Sequence, residues 1–278
     1  FYYWGTNQYI VQRVLGAKNI KNARWGALLG GFLKLPVLFV MVIPGVMAFS
    51  VFPDLTDPDM VFPTMVANIL PIGITGIVLA GLIAAIMSSI DSTLNSASTL
   101  ITMDFVKPKN PNLTAKETAK IGRWTTIILM FVAGAWAPIL QQFPGMFQYI
   151  QEAFSYVVPP VVAIFIMGMF WRRGNRHAAY WTLVGGHSLS AVIFVLAQAD
   201  IVTLHFTITA GILTMVSMII FAFISLTGEK PSPKNIDGVV WKPKDLLPED
   251  PDTPLLKDYR FYSVVVILLT TALVVGFW

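Results

Sequence analysis

Seven stretches of this chain are long, apolar and nearly free of charge, running over residues 25–51, 70–104, 119–142, 144–171, 178–199, 202–226 and 260–278. A helix needs about 20 mainly apolar residues to cross the hydrocarbon of a bilayer, whereas a barrel strand needs only about 9–11. Helices and closed barrels alone satisfy every backbone group in lipid, and runs of this length are too long for barrel strands. The chain is therefore expected to be an all-α, multi-pass integral membrane protein with the lipid bilayer as its solvent. Composition points the same way. Charged residues are 12% of the 278, hydrophobic residues 55%, and mean hydropathy is +0.68. About 25% charge is usual in a soluble domain, so too little polar surface remains to coat a water-soluble globule.

A net charge of +4 would suit nucleic acid if the cations shared one folded face, but they are parcelled out between the apolar runs. They read as topology signals, and no nucleic-acid partner is expected. Arg13, Lys18, Lys21 and Arg24 precede the first run; Lys107, Lys109, Lys116, Lys120 and Arg123 lie at the second junction. Arg172, Arg173 and Arg176 follow the fourth run, and a last group from Lys230 to Arg260 precedes the seventh. The alternate loops, around residues 52–69, 140–145 and 199–202, hold no cation and carry Asp54, Asp57, Asp59 and Asp200. By the positive-inside rule the basic loops are cytoplasmic. The N-terminal end is then expected inside and Trp278 outside, in a plasma (inner) membrane.

Turn chemistry marks the joints. Pro108, Asn110 and Pro111 break the chain after the second run, and Thr114 with Glu117 forms a capping-box pattern that restarts it as a helix. Residues 60–70, preceded by Pro58 and followed by Pro71, are expected to form a short interfacial helix on the outer side. Residues 227–259 carry six prolines and twelve charges and read as a cytoplasmic linker, expected to be mobile. It separates a transmembrane core portion, residues 1–226, from a C-terminal transmembrane helix, residues 260–278. The opening Phe1-Tyr2-Tyr3-Trp4 has neither Met nor the zones of a signal peptide, so the chain reads as a piece of something longer. It shows no internal repeat, and any symmetry partner is expected outside it.

Enzyme chemistry finds little support, and the chain is not expected to be an enzyme. The absence of Cys excludes disulfides, zinc thiolates, thiol nucleophiles and lipidated cysteines. His177, His187 and His205 fall in different segments without metal-ligand spacing, and belt or loop roles are expected for them. No glycine-rich phosphate loop or paired intramembrane carboxylate motif is present.

The most informative stretch is the run of small and hydroxylated residues from Ala84 to Ser96, inside a span. Helical spacing puts Ala85, Ser88 and Ser92 along one stripe, with Ser89 and Asp91 beside it. Two readings fit. Hydroxyls and backbone carbonyls can present several oxygens to a hard cation, or small residues can simply let a second helix approach closely. Lys34 lies ten residues beyond Arg24, about 15 Å along a helix, and reads either as a donor to a polar ligand or as the partner of a buried acid. Gln151 and Glu152, near the aromatics Phe147 and Tyr149, either face an aqueous cavity or mark a helix end.

Five motifs taken in order carry a resemblance. They are Tyr2-Tyr3-Trp4-Gly5-Thr6-Asn7-Gln8-Tyr9-Ile10 with Gln12-Arg13; Phe32-Leu33-Lys34; Ser88-Ser89 continuing to Thr102-Met103-Asp104; Phe147 to Glu152; and Phe170-Trp171-Arg172-Arg173. Over essentially its whole length the chain resembles the C-terminal half of the solute:sodium symporter family, most closely the sodium/glucose and sodium/galactose cotransporter branch. The resemblance implies an inverted-repeat fold of five plus five helices around a midplane cavity, of which this chain supplies about seven transmembrane helices plus the end of an eighth. It implies sodium as the co-transported ion, with the Ala85 carbonyl and the Ser88 and Ser89 hydroxyls as this half's ligands. Lys34 and Gln151 match sugar-contacting positions, Tyr3 the aromatic that stacks on the sugar and closes the inner side, and Phe147 an outer-gate aromatic. Asp91 departs from the pattern. With Ser92 it marks a candidate second cation site, or else a structural acid paired with a cation or capping a helix break. The expected function is sodium/sugar symport, with a non-sugar solute (carboxylate, amino acid or vitamin) or a non-transporting sensor as alternatives. The polar sugar contacts of the N-terminal half are not in this chain, so that half is an expected partner.

Overall fold

Prolines and side-chain caps decide where the apolar runs become helices. The computed structural model describes residues 1–140, 145–243 and 254–277. Most of the outer loop expected around 140–145, the linker residues 244–253 and the terminal Trp278 lie outside the described residues. The helices are α1 (Tyr2–Gly5), α2 (Gln8–Leu15), α3 (Ile20–Phe32), α4 (Leu35–Val37), α5 (Ile43–Val51), α6 (Val61–Ile69), α7 (Ile72–Leu100), α8 (Ala115–Leu140), α9 (Met146–Phe170), α10 (Arg176–Gln198), α11 (Phe206–Thr227), α12 (Pro233–Ile236) and α13 (Tyr259–Phe277), with π turns at Leu38–Val42 and Ile101–Val106. Seven segments among the described residues are long and apolar enough to cross a membrane: Ile20–Val51, Ile72–Val106, α8, α9, α10, α11 and α13. Each lies within a few residues of an expected run.

The caps follow the local sequence. Thr114 and Glu117 form the expected capping box: the Thr114 N–H and hydroxyl donate to Glu117 Oε2 at 2.9 and 2.8 Å, and the Glu117 N–H returns to Thr114 Oγ1 at 3.3 Å. Asn19 and Asn175 cap α3 and α10 by accepting from the N–H of Asn22 and Ala178. The stretch expected to be a short outer helix is a 3₁₀ turn, Pro58–Met60, leading into α6. The first span departs from expectation because it is interrupted. α3 ends at Phe32, Leu33 and Lys34 form a turn, and Pro36 opens the next short helix. A proline has no N–H to continue the ladder, so the apolar run remains while the helix breaks.

The chain packs as two units, Phe1–Asn7 with Met146–Asp252, and Gln8–Gly145 with Thr253–Trp278. In the first, α9, α10 and α11 form a bundle. Its buried residues recur every fourth position, at Ala178, Thr182, Gly186 and Ser190 on α10 and at Thr209, Leu213, Ser217, Phe221 and Ser225 on α11. Small residues along such rows let helix backbones approach closely, which replaces the hydrophobic driving force that lipid does not supply. The tightest point is Gly186, where an added Cβ would lie 2.8 Å from Pro160 Cβ and 3.1 Å from Ser217 Oγ. Gly186→Leu is therefore expected to destabilise the bundle by about 1–3 kcal/mol or more through overpacking. A thermal unfolding midpoint unchanged from the parent protein would refute this.

The start of the linker is anchored to this bundle, whereas the sequence led us to expect mobile chain. The Trp241 N–H donates to the Met169 carbonyl at 2.8 Å, its ring meets Phe170 with centroids 5.8 Å apart, and Val240 is buried. The apolar Val239-Val240-Trp241 inside a charged stretch supplies that anchor. Arg173 Nη2 donates to the Leu226 carbonyl at 3.0 Å, satisfying an oxygen that the end of α11 leaves open.

In the second unit α7 packs on α8, where Ser98 Oγ donates to the Gly122 carbonyl at 2.7 Å. α3 packs on α13, with the Arg24 guanidinium 4.6 Å above the Tyr259 ring and Trp25 against Tyr262. Large apolar side chains such as Phe49, Ile72 and Phe131 point outward, as a lipid-facing surface requires.

Candidate functional site

Helix α7 carries the hydroxyl-rich run and is regular from Ile72 to Leu100, so its stripe stays in register over the whole run. The two ends of that stripe differ. Ser96 is buried under α2, where Gln12 Nε2 donates to its hydroxyl at 2.8 Å. The Arg13 guanidinium donates to Ser92 Oγ and lies over the Tyr9 ring at 4.9 Å. Further along, Ala85, Ser88 and Ser89 are exposed.

Hydrogen bonding separates these residues more sharply than sequence does. Three hydroxyls of the run and one just beyond it turn back onto their own helix: Ser92 donates to the Ser88 carbonyl at 2.8 Å, Thr93 to Ser89 at 2.8 Å, Ser96 to Ser92 at 2.8 Å and Thr99 to Asn95 at 2.7 Å. The Ser88 and Ser89 hydroxyls make no hydrogen bond among the described residues. Two adjacent, exposed hydroxyls with both lone pairs available are what a hard cation needs from one helix. The Ala85 carbonyl, one turn away, keeps a second lone pair even inside a regular helix. Asp91 is exposed, makes no ion pair among the described residues, and sits where α7 has no break for it to cap.

Arg13 was legible only as a sidedness charge. It ends a relay in which its guanidinium donates to Ser92 and the Ser92 hydroxyl donates to the Ser88 carbonyl, so α2 is tied to the candidate cation stripe one turn from Ser88. Lys34 also lies in the second unit, exposed, at the α3–α4 interruption. Broken helices beside a polar residue recur at transporter binding sites, because the interruption presents backbone groups outside the regular ladder.

Tyr3, Phe147 and Gln151 belong to the first unit. The Tyr2 ring meets Phe154 with centroids 5.8 Å apart, which sets α1 beside α9, and Tyr3 stands edge-on to Trp4 at 5.7 Å. Phe147 and Gln151 are one turn apart on the same face of α9, and both are exposed. The expected substrate set is thus divided, with Tyr3, Phe147 and Gln151 in one unit and Lys34 in the other.

The histidines need one correction. His205 has the expected loop role, its Nδ1 accepting from the Thr207 N–H at the start of α11. His187 instead lies inside α10, its ring nitrogens 2.8 Å from the Leu183 carbonyl and 3.1 Å from the Val157 carbonyl of α9. It joins two helices because α9 and α10 approach closely at Gly186. Among the described residues no group of three or more His, Asp or Glu could hold a metal. A cation at Ala85, Ser88 and Ser89 would rest on hydroxyl and carbonyl oxygens.

The family model described as "Sodium:solute symporter family" matches residues 2–186. The chain is 36% identical over 273 residues to the sodium/myo-inositol cotransporter 2 of Homo sapiens, and 35% identical to that of Oryctolagus cuniculus; each alignment covers 86% of this chain and 40% of the relative. It is 32% identical to the sodium/myo-inositol cotransporter of Homo sapiens, over 93% of this chain and 41% of the relative. The chain spans about two fifths of the length of these relatives. It belongs to the sodium:solute symporter family.

Proposed function

We propose that the protein carrying this chain is a secondary active transporter of the plasma membrane, coupling sodium entry to symport of a cyclitol of the myo-inositol kind. The observation that carries the sodium part is the pair of unbonded hydroxyls at Ser88 and Ser89, in a helix where the neighbouring hydroxyls are spent on backbone carbonyls. With the Ala85 carbonyl they supply three oxygens; the remaining ligands come from outside this chain. Asp91 adds charge for a second cation; the Ser92 hydroxyl, expected beside it, is instead spent on the Ser88 carbonyl and on the Arg13 guanidinium.

The names of the relatives support a cyclitol over the hexose expected from sequence. Myo-inositol carries a hydroxyl on every ring carbon and has neither ring oxygen nor anomeric centre. It keeps an apolar face for the Tyr3 ring and a rim of hydroxyls for Gln151, both in the first unit. Phe147 closes the outer side. Sodium favours the outward-open state and solute then closes the gates, each through its differential affinity for the two states.

Uptake of labelled myo-inositol by vesicles holding the whole protein, with unlabelled competitors, tests the substrate class. Unlabelled myo-inositol is expected to compete best, glucose and galactose less well, and proline or a carboxylate not at all. A best competitor among the amino acids or carboxylates overturns the polyol reading, and no uptake of any solute favours a sensor.

A further inference from the structure

The basic junction between α7 and α8 contains a cavity that the transport reading does not use. It has a volume of about 580 Å³ and is lined by Asn95, Thr102, Lys107, Thr118 and Arg123, among others. The π turn Ile101–Val106 forms one wall: it widens the end of the span, so the Lys107 N–H bonds to the Thr102 carbonyl five residues back, at 2.9 Å. Such π turns are frequent at functional sites.

The donors here are unspent. Lys107 and Arg123 make no ion pair among the described residues, and the Asn95 amide makes no side-chain hydrogen bond among them. Thr102 is 3% exposed and its hydroxyl has no partner among the described residues. No carboxylate lines the cavity. Asp104, in the π turn, is exposed, does not line the cavity and makes no ion pair among the described residues, and Glu117 is committed to the N–H and hydroxyl of Thr114. Lys109, Lys116 and Lys120 add positive charge around the same junction, while Met103, Leu113 and Ala119 give the cavity an apolar side. A site with two unpaired cations, neutral donors, no acid and an apolar flank selects a phosphate-bearing anion over a cation or a neutral solute. The charge asymmetry of the loops places this end of the hairpin at the cytoplasmic leaflet, where anionic headgroups gather.

We propose that this cavity binds a phosphate group, with Lys107 and Arg123 as its charged donors and Asn95 and Thr102 as neutral ones. The source is either an anionic phospholipid headgroup, whose acyl chains follow the apolar flank, or a free phosphate from solution.

The test uses the whole protein in nanodiscs of phosphatidylcholine alone or with phosphatidylglycerol. In the parent protein, acetylation of Lys107 is followed by mass spectrometry beside Lys109, which does not line the cavity. Protection of Lys107 over Lys109 by phosphatidylglycerol identifies a headgroup; equal protection by inorganic phosphate in phosphatidylcholine identifies a free anion. Both support the site. The double variant Lys107→Gln/Arg123→Gln is expected to hold labelled phosphatidylglycerol or phosphate about tenfold or more weakly, while Lys109→Gln/Lys116→Gln stays within about threefold. Equal loss in the two double variants shows general surface charge and overturns the proposal. So does equal acetylation of Lys107 and Lys109 under every condition, a result that does not depend on the variants folding.

Discussion

Replacing Ser88 and Ser89 together by alanine in the whole protein is expected to raise the sodium concentration for half-maximal uptake about a hundredfold or more. A hydrogen bond or lone-pair contact to a charged group is worth about 1.5–3 kcal/mol, and two are removed at once. Thr93→Ala is the control, because that hydroxyl is spent on the Ser89 carbonyl at 2.8 Å. It is expected to stay within about threefold, the size of a small hydrogen-bond change. Measuring sodium dependence for both variants decides the matter. Equal effects would mean that hydroxyl content of the helix matters and the unbonded pair does not. Asp91→Asn is expected to act differently, changing the charge moved per solute or the sodium cooperativity. If it changes neither and lowers only the amount of folded protein, Asp91 is structural.

Gln151→Ala should weaken solute binding by about 1–3 kcal/mol, roughly 5- to 150-fold, the cost of leaving a ligand hydroxyl unpaired in a closed site. Sodium binding in the absence of solute should be unchanged, because the Gln151 amide is proposed to meet the solute and supplies no oxygen to the ion, whose hydroxyl pair lies on α7. Equilibrium binding of labelled myo-inositol, alongside sodium titration without solute, separates the two effects. A parallel loss of both would make Gln151 a structural residue.

The seven spans could be read from sequence because a bilayer demands long apolar runs, and the Thr114–Glu117 capping box because its spacing alone carries the chemistry. The break at Lys34 was harder. Pro36 was visible, but the residues around it are as apolar as any in the run, and hydropathy does not register a missing N–H. Arg13 was hidden for the opposite reason. A rule that counts cations to find the cytoplasmic side says nothing of their partners, and here the guanidinium reaches Ser92, 79 residues away in sequence. The distinction between Ser88 and Ser89 on one side and Ser92, Thr93, Ser96 and Thr99 on the other was also out of reach, since it lies in side-chain rotamers. The resemblance picked out the same pair without that reason. The bundle packing at Gly186 was missed because a glycine's closeness to Pro160 and Ser217 is a fact about three helices at once.

A sodium gradient is expected to drive solute uptake through oxygens that include those of Ser88 and Ser89. The most direct measurement loads vesicles containing the whole protein with potassium, dilutes them into sodium or into potassium, and follows labelled myo-inositol over time. Accumulation above the outside concentration in the sodium case alone, lost when Ser88 and Ser89 are alanine and retained in Thr93→Ala, is the predicted result. Accumulation that is the same in potassium, or that survives removal of both serine hydroxyls unchanged, would contradict it.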